Sequence, residues 1–220
     1  MNTFWQRYNG IIGPALVDQF SRVRQKETRN SFEDFILKNS NCNTKLLDAG
    51  CNTGVTGWRL FNKGYEGEYY GVDNNNKALS IAIQNLERSK SVFFQRDISS
   101  IPFPDKYFDI VLTKDVIEHC KDYETILIEL ARLTKKYLIL SMFIKMSDLP
   151  DQINLQPNGF YMNRYNRKRL MDLMIKTLNM TYNIIFVEDK DKDKDKDKDK
   201  DGDEVIVFEK EIWNGKKILL

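Results

Sequence analysis

Three aspartates and two glycines in the first half of the chain have the types and spacing of a nucleotide-type site. Asp48-Ala-Gly-Cys-Asn-Thr-Gly54 follows a short apolar run and precedes a helical pattern. That order predicts a strand running through a glycine turn into a helix, and such a turn brings backbone amides close to a ligand. Gly50 and Gly54 have no side chain to obstruct the approach, and Asn52 tolerates the left-handed conformation that a glycine would otherwise supply. Asp73 ends the next apolar run, Tyr69-Tyr-Gly-Val-Asp73, and Asp97 follows a third, Phe93-Phe-Gln-Arg-Asp97. A single aspartate at a strand end is an ordinary turn or cap residue. Three at the ends of parallel strands would share one sheet edge, where the second is placed to accept hydrogen bonds from ribose hydroxyls. A fourth stretch, Thr113-Lys-Asp-Val-Ile-Glu-His119, carries groups able to move a proton, with Asp115 and His119 as candidate bases. His119 is the only histidine, and packing or capping beside the next helix is the favoured account of it.

Alternating elements are needed to bring these residues together. Residues 30–39 read as a helix with Ser31 as cap, followed by strand 45–48 and helix 55–62. Strand 68–72, helix 75–88, strand 92–95, strand 108–113, helix 123–134 and strand 137–142 continue the pattern. Strands alternating with helices predict an α/β fold, a mostly parallel sheet with helices on both faces. The last third departs from that rhythm: after a polar connection come a helix over 167–178 and two β-rich runs, 181–187 and 204–213. These predict an antiparallel pair closing the sheet edge. Between them Lys190 to Asp201 alternates Lys and Asp without an apolar residue to bury. It reads as a disordered hairpin loop over 189–203, since ordering it would cost entropy that nothing offsets. A calcium-binding reading fails because the lysines cancel the aspartate charge.

With these motifs in order, the chain resembles the class I, Rossmann-like S-adenosylmethionine (SAM) dependent methyltransferases, in particular the group that modifies small molecules. The resemblance covers residues 44–142. Asp48-Ala-Gly-Cys-Asn-Thr-Gly54 is similar to the family's glycine motif, Asp73 to its ribose-binding acid, Asp97-Ile98 to its adenine-contacting pair, and residues 103–112 to its fourth-strand motif. It implies a seven-stranded sheet and SAM as cofactor. It also implies a cofactor-binding set of Asp48, Gly50, Asn52, Gly54, Asp73, Asn74, Asp97, Ile98 and Thr113. Two turns depart from the family pattern: Asn52 stands where glycine is frequent, and Thr134-Lys-Lys-Tyr137 where a Gly-Gly turn is frequent. A nicotinamide dinucleotide site is disfavoured because the Gly-x-Gly-x-x-Gly spacing is missing.

Composition bounds the rest. The 220 residues suit one domain, divided into a helical cap (1–43), a cofactor-binding core (44–142) and a C-terminal substrate-side region (143–220). With 34 basic and 32 acidic residues, charge compels neither nucleic-acid nor membrane binding. The three cysteines lack the paired spacing of a disulfide framework or zinc site, so no metal is expected and a reducing, cytoplasmic setting is. No secretory signal or membrane span is read, the longest apolar stretch being 137–144. A small-molecule acceptor is therefore the expected partner. The competing readings are a noncatalytic SAM-binding module and an RNA or protein methyltransferase using the basic cluster Arg164, Arg167, Lys168 and Arg169. Phe4, Trp5 and Tyr8 either pack on the domain or cover the cofactor's sulfonium. The sequence does not specify an oligomeric state.

Overall fold

The computed structural model describes residues 26–87, 89–157, 159, 161–187 and 203–210. The expectations for Phe4, Trp5, Tyr8, for the cap before residue 26 and for the Lys-Asp run lie outside the described residues. The elements are α1 (Lys26–Lys38), β1 (Lys45–Ala49), α2 (Val55–Asn62), β2 (Glu68–Asp73), α3 (Asn76–Asn85), β3 (Ser91–Gln95), β4 (Phe108–Lys114), α4 (Tyr123–Leu133), β5 (Thr134–Met142), α5 (Arg167–Asp172), β6 (Met180–Val187) and β7 (Glu204–Lys210).

The strands form one seven-stranded sheet in the order β3-β2-β1-β4-β5-β7-β6. The first five are parallel, while β7 pairs antiparallel with both β5 and β6. The predicted α/β class and the antiparallel closing pair are both present. Strand order reverses between β1 and β4, so the crevice for a ligand lies at the carboxyl ends of these two strands.

Each face of the sheet carries its own core. On one, Phe32 and Ile36 of α1 and Leu60 of α2 pack with Leu46, Ile110, Leu112 and Ile139. On the other, Ile126, Leu127 and Leu130 of α4 pack with Leu47, Val111, Leu138 and Phe208. Fully burying each such Leu, Ile or Phe side chain contributes roughly 1.5–3 kcal/mol. Residues 96–107 form no helix; the rings of Tyr70, Phe94, Phe103, Tyr107 and Phe108 meet edge to face and cover the sheet there instead, Tyr70 and Phe108 at 5.2 Å.

Several element boundaries differ from the sequence reading for physical reasons. The first helix begins at Lys26, so Ser31 lies inside it, its hydroxyl donating to the Thr28 carbonyl (2.7 Å) rather than capping. Asn75 caps α3, its side chain accepting the amides of Lys77 and Ala78. Helix α4 passes directly into β5 at Thr134, so the strand starts three residues before the expected Tyr137 and no turn stands where Gly-Gly is frequent in the family. The predicted helix over 167–178 is an α-helix only to Asp172; Leu173–Thr177 continues as a π-helical turn. Asp203, just before the strand that starts at Glu204, is buried and accepts the Thr28 hydroxyl at 2.6 Å.

Helix α1 is fixed by a buried carboxylate. Glu33 is fully buried and receives Arg59 of α2 at 2.5 Å and Lys63 just beyond it at 2.8 Å. Removing one partner of such a pair costs several kcal/mol, because the other charge stays buried. Helix α2 is in turn set close to β2. A Cβ on Gly57 would lie 2.7 Å from Tyr69 Cζ and 2.9 Å from Leu86 Cδ1. Gly57→Ala would gain about 1 kcal/mol of helix propensity against overpacking of about 1–3 kcal/mol. Tyr69 cannot swing away, since its hydroxyl donates to Asp48 at 2.5 Å. We expect Gly57→Ala to lower the urea midpoint; an unchanged or raised midpoint would show that α2 can shift freely.

Candidate functional site

The glycine turn leaves β1 at the switch point. Gly50 (φ 86°), Asn52 (φ 48°) and Gly54 (φ 74°) are all left-handed, which explains why Asn52 can stand where a glycine is frequent. The amides of Gly50 and Cys51 donate to the Val72 carbonyl at 2.7 and 3.0 Å. Asp73 closes the turn: Asn52 N–H donates to its Oδ2 at 2.9 Å and Asn75 N–H to its Oδ1 at 2.8 Å. Burial raises the Asp73 carboxyl above its ordinary range, opposed by these backbone bonds. Each carboxylate oxygen has a further lone pair for a ligand hydroxyl.

The turn after β4 presses against this one. A Cβ on Gly50 would lie 2.4 Å from Val116 Cγ2, so glycine is required for contact as well as for backbone conformation. Asp115 is left-handed (φ 55°), donates its amide to the Ser141 carbonyl at 2.9 Å and forms a close ion pair with Lys114. Glu118 is fully buried; Phe143 N–H donates to its Oε1 at 2.8 Å, while its Oε2 has no hydrogen-bond partner among the described residues. Burial, reinforced by the Asp115 charge, pushes the Glu118 carboxyl up to about 8. Thr113 Oγ1, Ser141 Oγ and Asp115 Oδ1 are likewise buried without a partner among the described residues.

Sequence reasoning missed Arg29. It projects from α1, is nine-tenths buried, and its Nε has no partner among the described residues. Burial lowers its pKa, opposed chiefly by the charges of Asp115 and Glu33. The only sequence signal was its helical spacing from Glu33, which becomes legible once the helix starts at Lys26 rather than Asn30.

The remaining expected residues occupy varied settings. Asp48 is buried beneath the turn, and burial raises its carboxyl to about 6 against the Tyr69 hydrogen bond. Asn74 is exposed next to Asp73. Asp97 is exposed and its Oδ1 accepts the amide and hydroxyl of Ser99, while Ile98 is buried. His119 ends a single 3-10 turn, Ile117–His119, and its Nδ1 lies 2.7 Å from the Tyr161 carbonyl. That carbonyl belongs to a strap, the described residues between 147 and 166, held to the 3-10 turn by Asn163 N–H on the Glu118 carbonyl (2.8 Å) and by the Tyr165 hydroxyl on the Ile117 carbonyl (2.7 Å). Of the basic cluster, Arg167 pairs with Glu204, Lys168 with Asp172, and Arg169 with Glu124 and Asp151.

This edge of the sheet meets a known family. Residues 40–200 match the family described as methyltransferase domain. The chain belongs to that family. The methyltransferase fold is the class I, Rossmann-like one. A SAM-dependent methyltransferase from Methanosarcina mazei superposes with a TM-score of 0.61 at 20% identity, over 80% of this chain and 96% of that one. Magnesium protoporphyrin IX methyltransferase from Synechocystis PCC 6803, solved with bound SAM, gives 0.63 at 18% identity over 94% and 90%. Among curated relatives, an uncharacterized methyltransferase of Schizosaccharomyces pombe is 31% identical, over 49% of this chain and 42% of its own length. The demethylmenaquinone methyltransferase of Bacillus licheniformis is 30% identical over 59% of each chain, and the ubiquinone biosynthesis O-methyltransferase of Pelagibacter ubique 27% over 60% and 55%. This methyltransferase-family chain thus spans about half the length of the curated relatives it matches.

The Glu118 environment makes a prediction about stability. Its folded pKa is raised above the unfolded value near 4.5, so the native state binds the extra proton between that value and about 8. Stability from this group is present below the lower limit and lost as pH rises through the upper one. Glu118→Gln keeps an oxygen for Phe143 N–H and removes the titration. Urea unfolding from pH 5 to 8.5 should show wild type losing on the order of 1 kcal/mol or more relative to the variant; parallel curves would contradict this account of Glu118.

Proposed function

We propose that the chain is a SAM-dependent methyltransferase acting on an oxygen, nitrogen or carbon nucleophile of a small molecule. The carrying observation is the contact between the two turns: an Asp73-closed glycine turn after β1 lies against the Thr113–His119 turn after β4, in a chain that matches the methyltransferase domain family. The donor set fits the cofactor. Asp73, aided by Asn74, would hold the ribose hydroxyls, Asp97 the adenine amino group, and Ile98 would pack on the base. The amides around Gly50, with Asn52, Gly54 and Thr113, would line the methionine portion, beneath which Asp48 supports the turn. The unpartnered guanidinium edge of Arg29 would take the methionine carboxylate, and the Asp115 carboxyl its ammonium.

SAM supplies an electrophilic methyl group together with its own leaving group. The chain's task is then to align the acceptor and exclude water, which is where most of the rate enhancement of such a transfer resides. A small acceptor is supported by the pairing of Arg167, Lys168 and Arg169 with carboxylates, which leaves their cluster little net field for a polyanion. The names of the relatives, ubiquinone biosynthesis O-methyltransferase and demethylmenaquinone methyltransferase, point the same way. No helix among the described residues is long and apolar enough to cross a membrane, which accords with a cytoplasmic protein.

Isothermal titration with SAM and with S-adenosylhomocysteine (SAH) tests this reading. Both should bind, and Asp73→Ala should weaken SAM by about 1.5–3 kcal/mol, roughly ten- to hundredfold, with the fold retained. A folded wild-type protein that binds neither molecule refutes the function, and a folded Asp73→Ala variant with unchanged affinity refutes the ribose assignment.

A further inference from the structure

Glu118 stands on the cofactor edge of the sheet with its hydrogen bonding incomplete. Its Oε1 accepts Phe143 N–H from the exit of β5 at 2.8 Å, and its backbone carbonyl accepts Asn163 N–H from the strap at 2.8 Å. Tied from both sides it is fully buried, yet Oε2 has no partner among the described residues. Other carboxyls of this edge are engaged: Asp48 by the Tyr69 hydroxyl, Asp73 by two backbone amides, Asp97 by Ser99. Asp115 Oδ1 is unpartnered too, but its other oxygen holds the ammonium of Lys114 in a close ion pair, so that cation is already committed. The hydroxyls of Thr113 and Ser141, at the adjoining ends of β4 and β5, are buried without a partner among the described residues as well. A buried group of oxygens that includes a carboxyl with no cation of its own is short of one positive charge.

The cofactor proposed above carries an anion and two cations. Arg29 and Asp115 are set against its carboxylate and its ammonium, which leaves the sulfonium without a counter-charge. Resting on that function, we propose that Glu118 is the group that tells SAM from SAH: a carboxylate when the sulfonium is present, and a carboxylic acid with its proton on Oε2 when it is not. Methyl transfer removes the sulfonium: the acceptor's electron pair forms the new bond to the methyl carbon, the C–S electrons stay on sulfur, and the acceptor sheds its proton. One positive charge is lost from sulfur and one proton is taken up from solvent by the carboxylate, so the buried edge keeps its net charge. The groups facing Glu118 favour the acid while the ligand is absent. Burial acts most strongly and the Asp115 charge adds to it, opposed by backbone hydrogen bonds and by Lys114. Cys120 after the 3-10 turn and Tyr165 of the strap are themselves pushed up by burial and stay neutral. With its carboxyl at about 8, Glu118 is protonated in most molecules at neutral pH. A cation nearby favours the carboxylate and expels that proton. SAM therefore binds more tightly as pH rises toward about 8, whereas SAH gains nothing from this group.

Calorimetric titration of the full chain at pH about 7, in two buffers of different ionisation enthalpy, counts the protons released on binding. Asp48, at about 6, and His119, lowered by burial from its ordinary value of 6.5, have by then lost most of their protons. SAM should release about half a proton more than SAH. Glu118→Gln resembles the acid form; it should abolish that difference and hold SAH within about twofold of wild type. The ratio of wild-type to variant SAM affinity should rise about tenfold from pH about 6 to about 8.5, while the ratio for SAH stays flat. Equal proton release by SAM and SAH in the wild type overturns the proposal without any variant. A difference that persists in Glu118→Gln, or a flat ratio for SAM, overturns it as well. A wild type that binds neither molecule instead sinks the function on which this inference rests.

Discussion

Two backbone amides, those of Asn52 and Asn75, converge on the carboxylate of Asp73, and the cofactor side of the molecule depends on that convergence. A turn with left-handed residues at 50, 52 and 54 has no helical or sheet ladder of its own. Its amides must find partners elsewhere or be left unpaired near the core, at about 1–3 kcal/mol each. The second strand supplies them, through the Val72 carbonyl and the Asp73 side chain. The residue proposed to hold the ribose is thus also the residue that gives the glycine turn its shape, so the proposed binding role and local folding share one carboxylate.

A second constraint comes from α1. Glu33 is buried without access to water, and it is tolerable there only because Arg59 and Lys63 both reach it. The cations sit on and just after α2, the helix that opens from the glycine turn, so the electrostatic clamp ties α1 to the same turn that Asp73 closes. Thr28 adds a bond to Asp203 at the start of β7. Between these anchors Arg29 is held buried, within reach of the charges of Asp115 and Glu33. Its placement is a consequence of pairing elsewhere on the helix rather than of a hydrogen bond to its own Nε.

What the sequence revealed and what it hid divide along the distance between partners. The cofactor motifs were legible because each strand carries its own chemistry at its own end: Asp48, Asp73 and Asp97 fall on one edge as soon as the strands are known to be parallel. Asn52 in a left-handed turn was legible from residue type alone. Arg29, Glu118 and the strap were not, since a lone arginine, a glutamate before a histidine and a Pro-containing connection carry no periodicity. The aromatic cover over residues 96–107 was hidden for a related reason. Phe103, Tyr107 and Phe108 read as part of a loop and a strand, and only the sheet shows that they meet Tyr70 and Phe94 in place of a helix.

The same division bears on how such a molecule can change its acceptor. The bonds that shape the cofactor turn join β1 and β2, partners 21 residues apart, and they lie wholly within the sheet's first half. Those on the other side join the turn after β4 to the strap across 42 to 48 residues. Tyr161, Asn163 and Tyr165 attach the strap through backbone carbonyls of residues 117–120 or through one side chain, so much of its remaining surface, including the exposed Leu149, Ile153 and Leu155, is free of structural duty. Substitutions there leave the amides around Asp73 undisturbed. The two sets of hydrogen bonds are separate, and the halves meet through the β1–β4 pairing and the approach of Val116 to Gly50, so loop residues on one side can vary while the other stays constant.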